Sequence, residues 1–73
     1  MTHDSTFHEA IHASLKGMHT MLEAANQQID QACEGISNHE QNMAIGAVLG
    51  VDILLNQALD LYKAIIAMHR CKP

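Results

Sequence analysis

"CEGISNHE", residues 33–40, decides the fold, because it reads as the end of one helix and the start of the next with almost nothing between them. Gly35 stands where the left-handed conformation closes a helix, and Ile36 can fold back onto the last turn. Ser37 and Glu40 have the spacing of a capping box, in which a hydroxyl holds an orphan amide and the glutamate reaches back to the amide of the cap. A joint over 35–37 between two long helices makes them antiparallel neighbours. The punctuation therefore predicts one all-α domain over residues 1–73, a hairpin with helix one over 6–34 and helix two over 38–70.

Upstream of the joint, Thr6 and Glu9 repeat the capping-box spacing at the start of helix one. Ile11, Leu15, Met18, Leu22, Ala25, Ile29, Ala32 and Ile36 then recur at alternating intervals of four and three, the pattern of a helix packed lengthwise on others. Gly17 falls inside this run at a cost of about 1 kcal/mol relative to alanine, but the register passes through it unshifted.

Downstream, "MAIGAVLGVDILL", residues 43–55, is almost wholly apolar. On an ideal wheel helix two gathers Asp52, Asn56, Asp60, Lys63 and Arg70 into one narrow stripe, leaving an apolar arc of roughly 220°, about twice what a single packed face needs. Ala47, Val51, Leu54, Ala58, Leu61, Ile65 and Met68 form one seam, which takes helix one. Ala44, Val48, Leu55, Leu59, Tyr62 and Ile66 form a second seam, which needs a partner. A homodimer, two hairpins forming a four-helix bundle, supplies it most simply. Gly46 and Gly50 would let backbones approach at one end of that interface, or merely soften the helix.

Composition points the same way. A chain of 73 residues makes one small domain that needs a staple or an associate to be stable. It is 48% apolar with 3% aromatics and a single proline, at the C-terminal end, which favours helix throughout. Four Lys and Arg against eight Asp and Glu, with no basic cluster, disfavour nucleic acid as a partner, since phosphates need a basic face. The segment "MTHDSTFHEAIH" has no basic stretch followed by an apolar core, so no secretory signal is expected and the cytoplasm is the default. Extending the apolar run to the length of a membrane span brings in Asp52, Asn56, Gln57 and Asp60, so no membrane segment is expected.

Several residues invite a chemical reading. "HEAIH", His8 to His12, has the H-E-x-x-H pattern of zinc proteases, in which two histidines a turn apart hold the metal and the glutamate polarises water. The extended form wants glycine and histidine where this chain has Leu15 and Met18, and two helices offer neither a strand for a peptide nor walls for a cleft. The hairpin brings the end of helix two back beside the start of helix one, so His69, and with it Asp60, would come near His3, His8 and His12 as a plain metal site. The alternative is a solvated face, because His12, Lys16, His19, Glu23 and Asp30 trace a polar stripe. No metal or other cofactor is expected. Cys33 and Cys71 fall at opposite ends of a rod on the order of 45 Å long and cannot pair within the chain. They read as small core or edge residues, with a regulatory or interchain role for Cys71 as the alternative.

No nucleophile has a base at a recognisable spacing and no glycine-rich phosphate loop occurs, so the chain does not read as an enzyme. Ile45, Leu49 and Ile53 lie towards the polar side of helix two, where neither seam requires them. They are candidate contacts for a foreign protein, or edge residues covered within the dimer. Met18, Met21, Met43 and Met68 read as core filler or as adaptable contact surface.

"MLEAANQQIDQACEGI" and "AIGAVLGVDILLNQALDLYKAI", within residues 21–66, resemble small helical-hairpin proteins of pseudomonads and their phages. Among these look-alikes are phage anti-activators that bind and silence host regulators, and the resemblance implies such a role without pointing to functional positions. Three functions are thus in view. The first is a non-enzymatic module that binds and inhibits another protein, the second a structural or chaperone-like subunit of a hetero-bundle, and the third a metal-binding protein using the N-terminal histidines.

Overall fold

The computed structural model describes residues 2–71, with side chains from Phe7 onward. Helix α1 spans Thr2–Ser37 and forms one arm of a hairpin; α2, Gln41–Val48, and α3, Val51–Arg70, together form the other. Among the described residues there is no strand. The arms run antiparallel, since Gly17 on α1 lies against Leu61 and Gly35 lies against Ala44. They make a slender rod, 57 × 14 × 11 Å, with a radius of gyration of 16.9 Å where a compact chain of this length has about 11 Å.

The joint is as short as expected but sits three residues later, at 38–40. Gly35 and Ser37 are helical, and the residue in the left-handed region is His39, with φ of 61°. The amide of Glu40 donates to the carbonyl of Gly35 at 2.8 Å and that of His39 to Ile36 at 3.0 Å, the paired bonds of a Schellman closure. Histidine is among the non-glycine residues that tolerate this region. Gly35 is occupied otherwise: a Cβ there would stand 3.2 Å from the amide nitrogen of Ala44, so its hydrogen side chain lets the arms meet at the turn. The expected box at Ser37 and Glu40 does not form. Ser37 ends α1, and Glu40 precedes α2 with no side-chain capping bond. At the other end α1 starts before Thr6, so Thr6 does not cap it; the Thr6 side chain lies outside the described residues.

The second arm is broken where one helix was expected. Leu49 is extended, with ψ of 100°, and Gly50 has φ of 122°, which side chains rarely allow. The amide of Leu49 closes α2 on the Gly46 carbonyl, and the amides of Ile53 and Leu54 open α3 on that of Gly50. Gly50 thus permits the break, and among the described residues, chain neighbours aside, nothing stands within 4 Å of where a Cβ on Gly46 or Gly50 would be. The break does not disturb the seam. Ala44, Ala47, Val51, Leu54, Ala58, Leu61, Ile65 and Met68 keep intervals of three and four through it, all buried or half-buried. Ala44, expected at the dimer interface, belongs to this inner seam and is buried against Gly35.

Helix α1 meets the other arm with a face that keeps Ile11, Met18, Ala25 and Ala32 of the expected seam and is rotated away from the rest of it. Its inner stripes are Phe7, Ser14, Met21, Gln28 and Gly35, flanked by Ile11, Met18, Ala25 and Ala32. Leu15, Leu22, Ile29 and Ile36, half of the expected seam, are 43% to 54% exposed. The cause is side-chain size. The second arm brings leucines and isoleucine to the contact, so the closest approach falls to small residues of α1; a Cβ on Gly17 would stand 3.0 Å from Cδ1 of Leu61.

Candidate interaction surfaces

Little of the chain is enclosed. Ala25, Ala44, Val51 and Ala58 are its buried apolar residues, and no large side chain among the described residues is fully buried. Met18, Met21 and Met68 are half-buried in the contact between the arms, whereas Met43 is exposed. Two apolar surfaces result.

The first is a flank shared by both arms. In an antiparallel helix pair, residues one step clockwise from the contact on one helix and the equivalent residues on the other lie on the same side, because reversing a helix also reverses its sense of rotation. Leu15, Leu22, Ile29 and Ile36 follow directly after the inner stripe of α1. Leu55, Leu59 and Tyr62 follow the stripe of Val51 and Ala58 by four residues, or by one. Both sets therefore occupy one flank. From the pairings of Gly17 with Leu61 and Gly35 with Ala44, Leu22 stands level with the stretch between Leu55 and Leu59, and Leu15 with Tyr62. Val48 and Ile66, expected with them, are half-buried. The opposite flank carries Ala13, Thr20, Gln27, Glu34, Gln57 and Ala64.

The second surface is the back of the second arm. Ile45, Leu49 and Ile53 all point away from α1, and Leu49, at the break, is 70% exposed. Sequence reasoning located this patch. It missed the stripe from Leu15 to Ile36 as a surface, although the small residues Gly17 and Gly35 beside the inner face were the signal.

The chain matches no protein family, no curated protein and no solved structure.

The polar candidates do not converge. His8, His12 and His69 are exposed, and among the described residues no group of three or more His, Cys, Asp or Glu side chains comes close enough to hold a metal ion. The His3 side chain lies outside the described residues. His12 and His19 border a hollow of about 380 Å³ with Leu15, Lys16 and Thr20, all residues of α1, and a hollow along a single helix cannot enclose a ligand. His19 Nδ1 lies 3.6 Å from Glu23 Oε1, and both side chains are so exposed that the contact contributes little. Cys33 and Cys71 are free and exposed, so neither is a core residue. The second arm, Gln41–Arg70, is by length and composition apolar enough to cross a membrane, with mean hydropathy 1.5. Only 17% of that apolar window is buried by the rest of the chain.

Proposed function

We propose that this chain is a non-enzymatic interaction module: two hairpins pair as a four-helix bundle, and the bundle binds and restrains another protein. The observation that carries this reading is the outward placement of the apolar residues. Eleven large apolar side chains among the described residues are exposed, which far exceeds the scattered leucines of an ordinary small domain. Ten of them fall on two separate surfaces, and the eleventh, Met43, lies by the turn, so covering one surface by self-association leaves the other free. Ile45, Leu49 and Ile53 are the contacts for the foreign protein. Apolar side chains grouped on an otherwise polar face form the desolvated centre of a binding site. The resemblance to phage anti-activators points to a regulator as the target.

Affinity capture from the native host, read by mass spectrometry, tests the assignment. Leu49→Asp should abolish recovery of the partner and leave the dimer intact, while Gln27→Glu on the opposite flank should change neither. Undiminished capture by Leu49→Asp would place the contact elsewhere.

The under-buried second arm also favours a second reading, a subunit whose exposed flank is covered by a different polypeptide in a hetero-bundle. Light scattering on the pure chain separates the two: a clean dimer supports the first, and a monomer that aggregates supports the second.

A further inference from the structure

Given the homodimer proposed above, we infer that the second copy covers the shared flank, so that Leu15, Leu22, Ile29 and Ile36 of α1 enter the interface alongside Leu55, Leu59 and Tyr62 of α3. The sequence pattern places the first four in a packed seam; the hairpin alone leaves them about half exposed. The area fits a protein partner. The chain exposes 5578 Å², whereas a folded monomer of 8.0 kDa exposes about 4,450 Å². The surplus of roughly 1,100 Å² is somewhat more than the 800 Å² or so that each side contributes to a stable interface.

A second copy suits this flank better than a foreign protein for two reasons. Among the described residues three alanines and a valine make up the buried apolar core, so cover is needed for folding itself and must be at hand whenever the chain is made. A copy always is. The flank is also a pair of antiparallel helices with a leucine or isoleucine every seven residues along α1, and a two-fold axis sets such a surface against an identical one, as in four-helix bundles. Asp52, on the stripe of Leu59 and Ile66, and Lys63, beside Tyr62 and Ile66, are exposed charges that border this surface, at an edge that keeps contact with water.

Light scattering and concentration-dependent melting of the full chain test the assignment. The wild-type chain should run near 16 kDa, twice its 8.0 kDa, with a Tm that rises with concentration. Leu22→Glu and Ile29→Glu should each weaken the dimer at least about 30-fold, as loss of a central interface residue does. Thr20→Glu, on the opposite flank, should leave it unchanged. Because a glutamate at Leu22 can also unfold the chain, a photo-reactive p-benzoylphenylalanine replacing Leu22 is the second measurement. It should give a covalent dimer on irradiation, and the same group replacing Gln27 should give none. A wild-type dimer untouched by both glutamates, or cross-linked from position 27 and not from 22, would overturn the face while leaving the homodimer standing. A wild-type chain that melts cooperatively as a monomer would overturn both.

Discussion

The two arms meet along one line but bring different side chains to it. The second arm turns its leucines inward at Leu54 and Leu61, with Ile65 and Met68 continuing the seam past Ala58. Helix α1 turns Ser14, Gly17, Ala25, Gln28 and Gly35 inward among Phe7, Ile11, Met18 and Met21, and carries Leu15, Leu22, Ile29 and Ile36 on the flank. Large residues on one side of a contact demand small ones on the other if the helices are to pack at interior density. The difference shows that the inner face of a helix depends on what it meets as much as on its own most hydrophobic stripe. It also explains how a chain that is 48% apolar ends with so small a core: α1 turns only half of its large apolar side chains, Phe7, Ile11, Met18 and Met21, towards the hairpin contact.

The sharpest way to break this asymmetry is to enlarge α1 where it lies closest to its neighbour. At Gly35 a Cβ would meet the amide nitrogen of Ala44 at 3.2 Å and its Cα at 3.3 Å, and backbone cannot swing aside as a side chain can. Gly35→Leu should therefore destabilise the fold by about 3 kcal/mol, the upper range for overpacking, measured by urea unfolding at fixed chain concentration. Gly17→Ala is the matched control. Its new methyl meets only the end of the Leu61 side chain, and the gain in helix propensity offsets much of that crowding. Equal losses at the two glycines would refute the unequal roles assigned to them.

The break in the second arm gives a smaller test. Gly50 at φ of 122° tolerates a side chain poorly, so Gly50→Ala should cost about 1–2 kcal/mol in the same unfolding measurement. A gain in both helicity and stability would instead mean that α2 and α3 prefer to fuse, and that the exposed position of Leu49 does not depend on the break.

How far these features can be read without coordinates follows from the kind of signal each one leaves. The inner seam of the second arm is legible residue by residue from Ala47 to Met68, because its large apolar residues keep one period and stay in phase across Gly50. The face of α1 is not, because ranking by hydrophobicity picks the stripe of Leu22 and Ile29 over that of Met21 and Gln28, and size matching with Leu61 reverses the choice. Leu49 and its neighbours Ile45 and Ile53 could be located because no seam needed them. The break leaves no mark in the pattern, because the glycine that permits it costs the seam no register. The turn was found but misplaced, since both Gly35 and His39 can end a helix and only the contact with Ala44 decides between them.

The smallest expected effect concerns that choice. His39 holds a left-handed conformation at φ of 61°, which costs an L residue roughly 1 kcal/mol and costs glycine almost nothing. His39→Gly keeps both closing bonds, which run between main-chain atoms of Gly35, Ile36, His39 and Glu40. It also loosens the unfolded chain, which takes back part of the gain. The net should be a stabilisation of about 0.5 kcal/mol, seen as a Tm higher by about 2–4 °C at matched concentration. The gain should persist in a Leu22→Glu background if that variant still folds, because the joint lies far along the rod from that position and distant sites add. A loss of stability on His39→Gly would mean that the imidazole itself holds the turn, and the size asymmetry between the arms would no longer account for why α1 passes through Gly35 to end at Ser37.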